Sequence, residues 1–251
     1  MPAVENTDQD WNEFGETDPY YAVLTADSFH KEQITQENLA LFYQLGQEYV
    51  DQVLGAIRTH FDPAFAPARA LDFGCGVGRL TIPLARISKT TTGIDISDAM
   101  LTAAQARCAQ LGLKNVTLVK SDDTLSALTG KYDLILSSLV FQHIPPARGE
   151  KIFGRLLSLL NEGGVCVVQF LYHRPHQHFF QLYYGLRQNI PFFKNIANIL
   201  QGKPVSAPFM QMNTYALDRL FSIIQASQGK AVVCQMEEHG GFESITVYLR
   251  R

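Results

Sequence analysis

The 251-residue chain is most informative at first in what it lacks. It has no run of about 18 consecutive apolar residues, so no transmembrane helix is expected. Its four cysteines, Cys75, Cys108, Cys166 and Cys234, are scattered and form no CxxC pair. That argues for reduced thiols and against a disulfide framework or a zinc site. No basic block stands out and the net charge is −3, so binding to a nucleic-acid backbone is not favoured. No internal repeat and no low-complexity tract is visible. The opening residues, MPAVENTDQDWNEFG, are acidic and polar, unlike a signal or transit peptide. With the scattered thiols, this gives a cytoplasmic location as the expectation.

What is present suits one domain of 1–251 with an elaboration: 46% hydrophobic residues, enough for a large core, against 18% charged. Residues 1–30 read as irregular but aromatic. Over 36–60 apolar residues recur at three- and four-residue steps, which predicts a helix with Thr35 as its cap. Strand and helix signals then alternate. Strands are predicted at 68–73, 91–96, 116–120, 132–138 and 165–172. Helices are predicted at 79–87, 98–111 (with Gly112 as its stop) and 147–160 (ended by Asn161-Glu162-Gly163-Gly164), with a short helical turn at 124–128. Residues 173–213 are rich in aromatics and read as one or two helices. A helix at 215–225, capped by Asn213 or Thr214, and a hairpin over 230–250 close the chain.

Alternating strands and helices imply a parallel sheet with helices on both faces, and ligands bind at the carboxyl ends of its strands. The loops after Phe73, Ile96, Lys120 and Ser138 are expected to converge there. The first of these carries the strongest signal, LDFGCGVGRL over 71–80. Glycines let the backbone turn sharply and approach a ligand closely, and the helix that follows offers free N–H groups. Asp95 follows the middle glycine by 19 residues. This is close to the roughly 20-residue offset at which a carboxylate meets a ribose hydroxyl in a nucleotide-binding βαβ unit.

Five features in order now point further: the acid and glycines Asp72, Gly74, Gly76, Gly78; the second-strand acid Asp95; Asp122 in VKSDD; the segment YDLILSSLVFQHIPP; and the turn LLNEGG. Together they resemble the class I S-adenosylmethionine-dependent methyltransferases of the small-molecule type. The resemblance covers about 68–172 strongly and the closing helix and hairpin less so. It implies a Rossmann-like α/β fold: a seven-stranded, mostly parallel sheet with an antiparallel last strand, an N-terminal lid with its helix over 1–60, a cofactor-binding core over 68–172, a helical insertion over 173–213, and a closing helix and hairpin over 214–251.

The resemblance also implies residue roles. The cofactor would lie along the Gly74, Cys75, Gly76, Gly78 loop. Asp95 would hold its ribose, Asp122 its adenine amine (with Asp123 beside it as a competitor), and Asp72 with the backbone near Gly74 its methionine part. Ile96 and Met100 would pack on the adenine or ribose, and Ser138 and Leu139 would flank the transferring methyl. Trp11, Tyr20 and Tyr21 are candidates to cover the sulfonium with an aromatic face. Methyl transfer by in-line displacement needs mainly alignment and a dry pocket, so the absence of a Ser-His-Asp or Cys-His constellation does not exclude an enzyme. Should an acceptor oxygen or nitrogen need to lose a proton, His143 and His239 are the base candidates. The cluster His173, His176 and His178 lacks an accompanying carboxylate or cysteine at ligand spacing, so no metal is expected. The aromatic lid suggests an apolar or aromatic small-molecule acceptor. An NAD-dependent oxidoreductase and a non-catalytic S-adenosylmethionine-binding protein are the alternatives, and nothing in the sequence speaks to oligomeric state.

Overall fold

The computed structural model describes residues 7–175, 210–239 and 241–251, with only the backbone of His239. The aromatic insertion therefore lies almost wholly outside the described residues. No described helix is long and apolar enough to cross a membrane.

Seven strands form one sheet: β1 (Arg69–Phe73), β2 (Thr90–Asp95), β3 (Val116–Lys120), β4 (Tyr132–Ser137), β5 (Leu160–His173), β6 (Ala231–His239) and β7 (Phe242–Arg250). Their order is β3-β2-β1-β4-β5-β7-β6. The first five are parallel, β7 runs antiparallel to β5, and β6 pairs antiparallel with β7. His173 lies opposite Glu243 and His239 opposite Phe242, so the hairpin turn sits at the carboxyl edge, as expected.

Helices α1 (Thr7–Thr17), α2 (Pro19–Val23), α3 (Gln36–His60), α4 (Thr81–Ile87), α5 (Asp98–Gln110), α6 (Pro146–Ser158) and α7 (Leu217–Ala226) complete the described elements, with short 3-10 turns at Asp27–Phe29 and Phe141–His143. Helix α3 matches its expected span, and Thr35 accepts the Asn38 N–H at 3.1 Å. Its buried stripe, Val50, Val53, Leu54 and Ile57, packs with Leu134, Leu136, Val165 and Val167 on one sheet face. On the other face, α6 and α7 close over Phe141, Phe153, Phe170 and Tyr215.

Four expectations fail for local reasons. The described part of the first 30 residues, 7–30, is not irregular, because α1 and α2 form there. The turn of helix at 124–128 is instead a pair of tight turns, Leu125 N–H to Asp122 C=O and Leu128 N–H to Leu125 C=O. Leu125 sits at φ +53, a left-handed conformation that no α-helix contains. The Gly163-Gly164 pair does not stop α6, which ends at Ser158. It lies inside β5, at a shift in register against β4. A Cβ at Gly164 would come within 2.9 Å of the Tyr132 carbonyl oxygen, so this strand entry requires glycine. Helix α7 starts after Ala216 with no side-chain cap. The expected cap Asn213 instead donates its backbone N–H to the Gln142 carbonyl at 2.6 Å.

Candidate functional site

The loop after β1 turns on three left-handed glycines, Gly74 (φ +73), Gly76 (φ +50) and Gly78 (φ +87). The first two are also held free of side chains by their surroundings. A Cβ at Gly74 would meet Val140 Cγ2 at 2.4 Å, and one at Gly76 would meet Val23 Cγ2 at 3.0 Å. The Gly76 N–H donates to Asp95 Oδ2 at 2.8 Å, and the Ser97 N–H to Asp95 Oδ1 at 2.9 Å. The end of β2 is thereby tied to the glycine loop. With the Ile96 N–H, three backbone donors address this carboxylate, whose two oxygens offer about four acceptor sites. Burial raises the Asp95 pKa, and the N–H groups of Ser97, Gly76 and Ile96 oppose the rise.

One cleft at the carboxyl edge gathers Gly74, Gly76, Asp95, Ile96, Met100, Asp122, Ser138, Leu139 and His143, all expected from the sequence. Asp72, Cys75, Gly78 and Asp123 do not line it. Asp72 is 2% exposed beneath the loop and accepts from Thr81 Oγ1 at 2.6 Å. Cys75 is buried, and burial holds its thiol well above the ordinary value, so it stays protonated. A Cβ at Gly78 would meet the Ala104 Cβ of α5 at 3.3 Å, so this glycine serves helix packing. Asp122 is exposed on the cleft wall, and its carboxylate is engaged by its own loop, through the backbone and hydroxyl groups of Thr124 and Ser126. These donors lower its pKa, the Ser126 hydroxyl most. His239 ends β6 with its side chain outside the description, as are His176 and His178.

Some of the cleft was not foreseen. Helices α1 and α2 roof it with Thr7, Asp8, Ala22 and Val23, beside the expected Trp11. Arg148 of α6 ties this roof down: its guanidinium forks onto Asp8 (2.5 and 2.9 Å) and also reaches Asp123 (2.7 Å from Nε). No local sequence signal marks Arg148, because its partners lie 140 and 25 residues away. Of the three aromatics expected over the cleft, only Trp11 lines it, with its ring 4.7 Å from that of His143. Tyr20 packs edge-on against Phe42, and Tyr21 stacks on His30.

His143 is 6% exposed. Its Nδ1 lies 2.7 Å from the Gln211 carbonyl oxygen, which can only accept, so Nδ1 carries the hydrogen. Its Nε2 is then the acceptor for the Gln142 amide at 3.1 Å. Burial pushes its pKa down to about 4, against a smaller upward effect from Gln211. Burial pushes that of Asp72 up to about 6. The two therefore act oppositely on stability. The His143 contribution is full above pH 6.5 and is lost as pH falls toward 4. The Asp72 contribution is full below pH 3.8 and is lost as pH rises toward 6. Each amounts to about 3 kcal/mol. In His143→Gln the His143 loss disappears while the slopes of the other groups remain, so between pH 6.5 and pH 4 the variant gains about 3 kcal/mol relative to the wild type. Urea unfolding at stepped pH reads this difference, and parallel pH profiles would refute it.

Residues 70–164, the stretch holding the glycine loop and the carboxyl ends of the first four strands, match a family model described as a methyltransferase domain. This part of the chain is similar to methyltransferase domains. It is 36% identical over 99 residues to a chloroplastic magnesium protoporphyrin IX methyltransferase of Arabidopsis thaliana, a match spanning 39% of this chain and 31% of that protein. It is 28% identical over 145 residues to the aklanonic acid methyltransferase DauC of Streptomyces sp. strain C5, spanning 55% and 64%. The chain thus spans less than two thirds of the length of these curated relatives. Its fold extends further. The crystal structure of magnesium protoporphyrin IX methyltransferase from Synechocystis PCC 6803 with bound S-adenosylhomocysteine superposes with a TM-score of 0.65 over 98% of both chains, at 20% identity.

Proposed function

We propose that this chain transfers a methyl group from S-adenosylmethionine to an oxygen or nitrogen of a small-molecule acceptor. The observation that carries the reading is the joining of Asp95 to the Gly76 backbone on the same cleft as Ser138 and Leu139. The residues present fit the group. A side-chain-free cradle at Gly74 and Gly76 leaves backbone exposed to a ligand, and a half-buried carboxylate with an acceptor site left suits a ribose hydroxyl. Ile96 and Met100 supply apolar wall for a purine.

Bound there, S-adenosylmethionine would supply an electrophilic sulfonium methyl, open to in-line attack by an acceptor lone pair with the C–S pair leaving on sulfur as the thioether of S-adenosylhomocysteine. The chain's own part is to hold, orient and exclude water. Asp95 fixes the ribose end. Leu139, held at φ +62 by its N–H bond to Gln169 Oε1 (3.1 Å), presents backbone at the exit of β4. Trp11 roofs the cleft and offers an aromatic face to a cation. His143 is neutral at pH 7, and it can take an acceptor proton only by giving up the Gln142 amide at Nε2. The names of the relatives, a porphyrin methyltransferase and an aklanonic acid methyltransferase, support a ring-bearing acceptor. A nicotinamide enzyme is disfavoured, because the β7-β6 hairpin stands where a second nucleotide-binding half would need parallel strands.

Calorimetry with S-adenosylhomocysteine and with NAD tests the reading. The expected result is saturable binding of the former and none of the latter, and the converse would overturn it. Transfer of a labelled methyl group to a panel of phenols and ring-bearing acids then separates an enzyme from a binding protein.

A further inference from the structure

Arg79 follows the last glycine of the loop and is 6% exposed, yet its Nε has no hydrogen-bond partner. No described carboxylate forms an ion pair with it. Asp72 acts on it only at a distance, with its carboxylate given to Thr81. The position is built tightly. Helix α3 crosses directly over the arginine at Gly46, where a Cβ would meet Arg79 Cγ at 2.8 Å. Three residues on, the Tyr49 hydroxyl of the same helix is also buried with no partner. Arg79, Ser138, Thr246 and Glu237 are the polar groups around it. Glu237 is exposed and reached by the Gln169 amide at 3.5 Å. Ser138 also lines the cofactor cleft, so this polar cluster adjoins the cleft across the end of β4.

A desolvated guanidinium without an anion is costly and is retained where something compensates it. The free Nε–H, with a terminal N–H beside it, forms the fork that matches a carboxylate, and a tyrosine O–H adds a third donor. We propose that Arg79 and Tyr49 form a subsite for a carboxylate of the methyl acceptor. This rests on the methyltransferase reading. The subsite anchors the acceptor and is not where methylation occurs, since donors on a carboxylate draw electron density away from it.

The test uses the 251-residue chain saturated with S-adenosylhomocysteine. Benzoate, 4-hydroxybenzoate, phenylacetate and 3-phenylpropionate are titrated calorimetrically, each against its own amide. In the wild type at least one acid binds about tenfold or more tightly than its amide. Tyr49→Phe and Arg79→Met reduce that ratio to about twofold or less, and leave the Kd for S-adenosylhomocysteine within about threefold. Arg79→Met keeps or raises the melting temperature, because an apolar side chain of similar volume replaces an unpaired buried charge. A purely structural arginine would instead lower it.

Amides binding as well as acids, no acid binding at all, or an acid preference that survives in both variants would overturn the subsite. So would a loss of S-adenosylhomocysteine affinity of about tenfold in Arg79→Met, which would assign the guanidinium to the cofactor's own carboxylate. Failure of the wild type to bind S-adenosylhomocysteine would overturn the methyltransferase reading instead.

Discussion

Asp95→Ala weakens S-adenosylhomocysteine binding by about 10- to 100-fold. Hydrogen bonds to a charged group are worth about 1.5–3 kcal/mol, and each 1.4 kcal/mol is about tenfold in Kd. The substitution has a second effect, because Asp95 also accepts the N–H groups of Gly76 and Ser97. Removing the carboxylate leaves both donors without a partner inside the loop, so the melting temperature falls as well. Asp95→Asn separates the two effects. Its amide oxygen can still accept from the backbone, while the charge that favours ribose hydroxyls is gone. Calorimetry should show both variants weakened, with Asp95→Asn nearer the wild type in melting temperature. Unchanged affinity in a folded Asp95→Ala would remove this residue from the cofactor site.

Phe141→Ala produces the largest loss of stability, about 3–5 kcal/mol. Phe141 is fully buried, with ring centroids 4.8 Å from Phe170, 5.5 Å from Phe73, 6.1 Å from Tyr215 and 6.3 Å from Phe153. It joins β1 and β5 to α6 and to Tyr215, just before α7. Little can collapse into the space, because Tyr215 is pinned there by its hydroxyl, 3.0 Å from the Phe141 carbonyl oxygen and 2.8 Å from that of Ile144. In a chain of this length the melting temperature should drop by about 6–20 °C. A scanning-calorimetry drop of less than about 3 °C would show that the cluster repacks.

The parts of the fold that were legible are those whose signal is local. β3 lies at 116–120 as read, and α3 spans 36–60 with its threonine cap. The glycine loop, Asp95, Ser138, Leu139 and His143 share one cleft because strand ends in a parallel sheet have no other place to put their loops. What escaped depended on distant partners. Leu125 accepts a left-handed backbone as the buried apolar residue of its loop, and an unbranched reading of 124–128 as helix could not see that. Gly163-Gly164 resembles a helix stop until the strand beside it, β4, makes it a strand entry. Asn213 has a side chain suited to capping, but its amide N–H donates to the Gln142 carbonyl at 3.3 Å and α7 starts without it. Asp122, expected at the adenine amine, lines the cleft with its carboxylate bonded to Thr124 and Ser126 of its own loop, which its sequence neighbours alone did not reveal.

The roof and the floor of the cleft answer to different properties of the solvent. The floor is a sheet buried on both faces by apolar side chains, and added electrolyte leaves that packing nearly untouched. The roof depends on Arg148, whose partners Asp8 and Asp123 are 48% and 61% exposed. Attraction between such charges is screened over about 8 Å at physiological ionic strength and over about 3 Å at 1 M. Raising the salt therefore loosens α1 while the strands beneath it stay fixed, and the Debye length becomes a control on how firmly the cleft is covered.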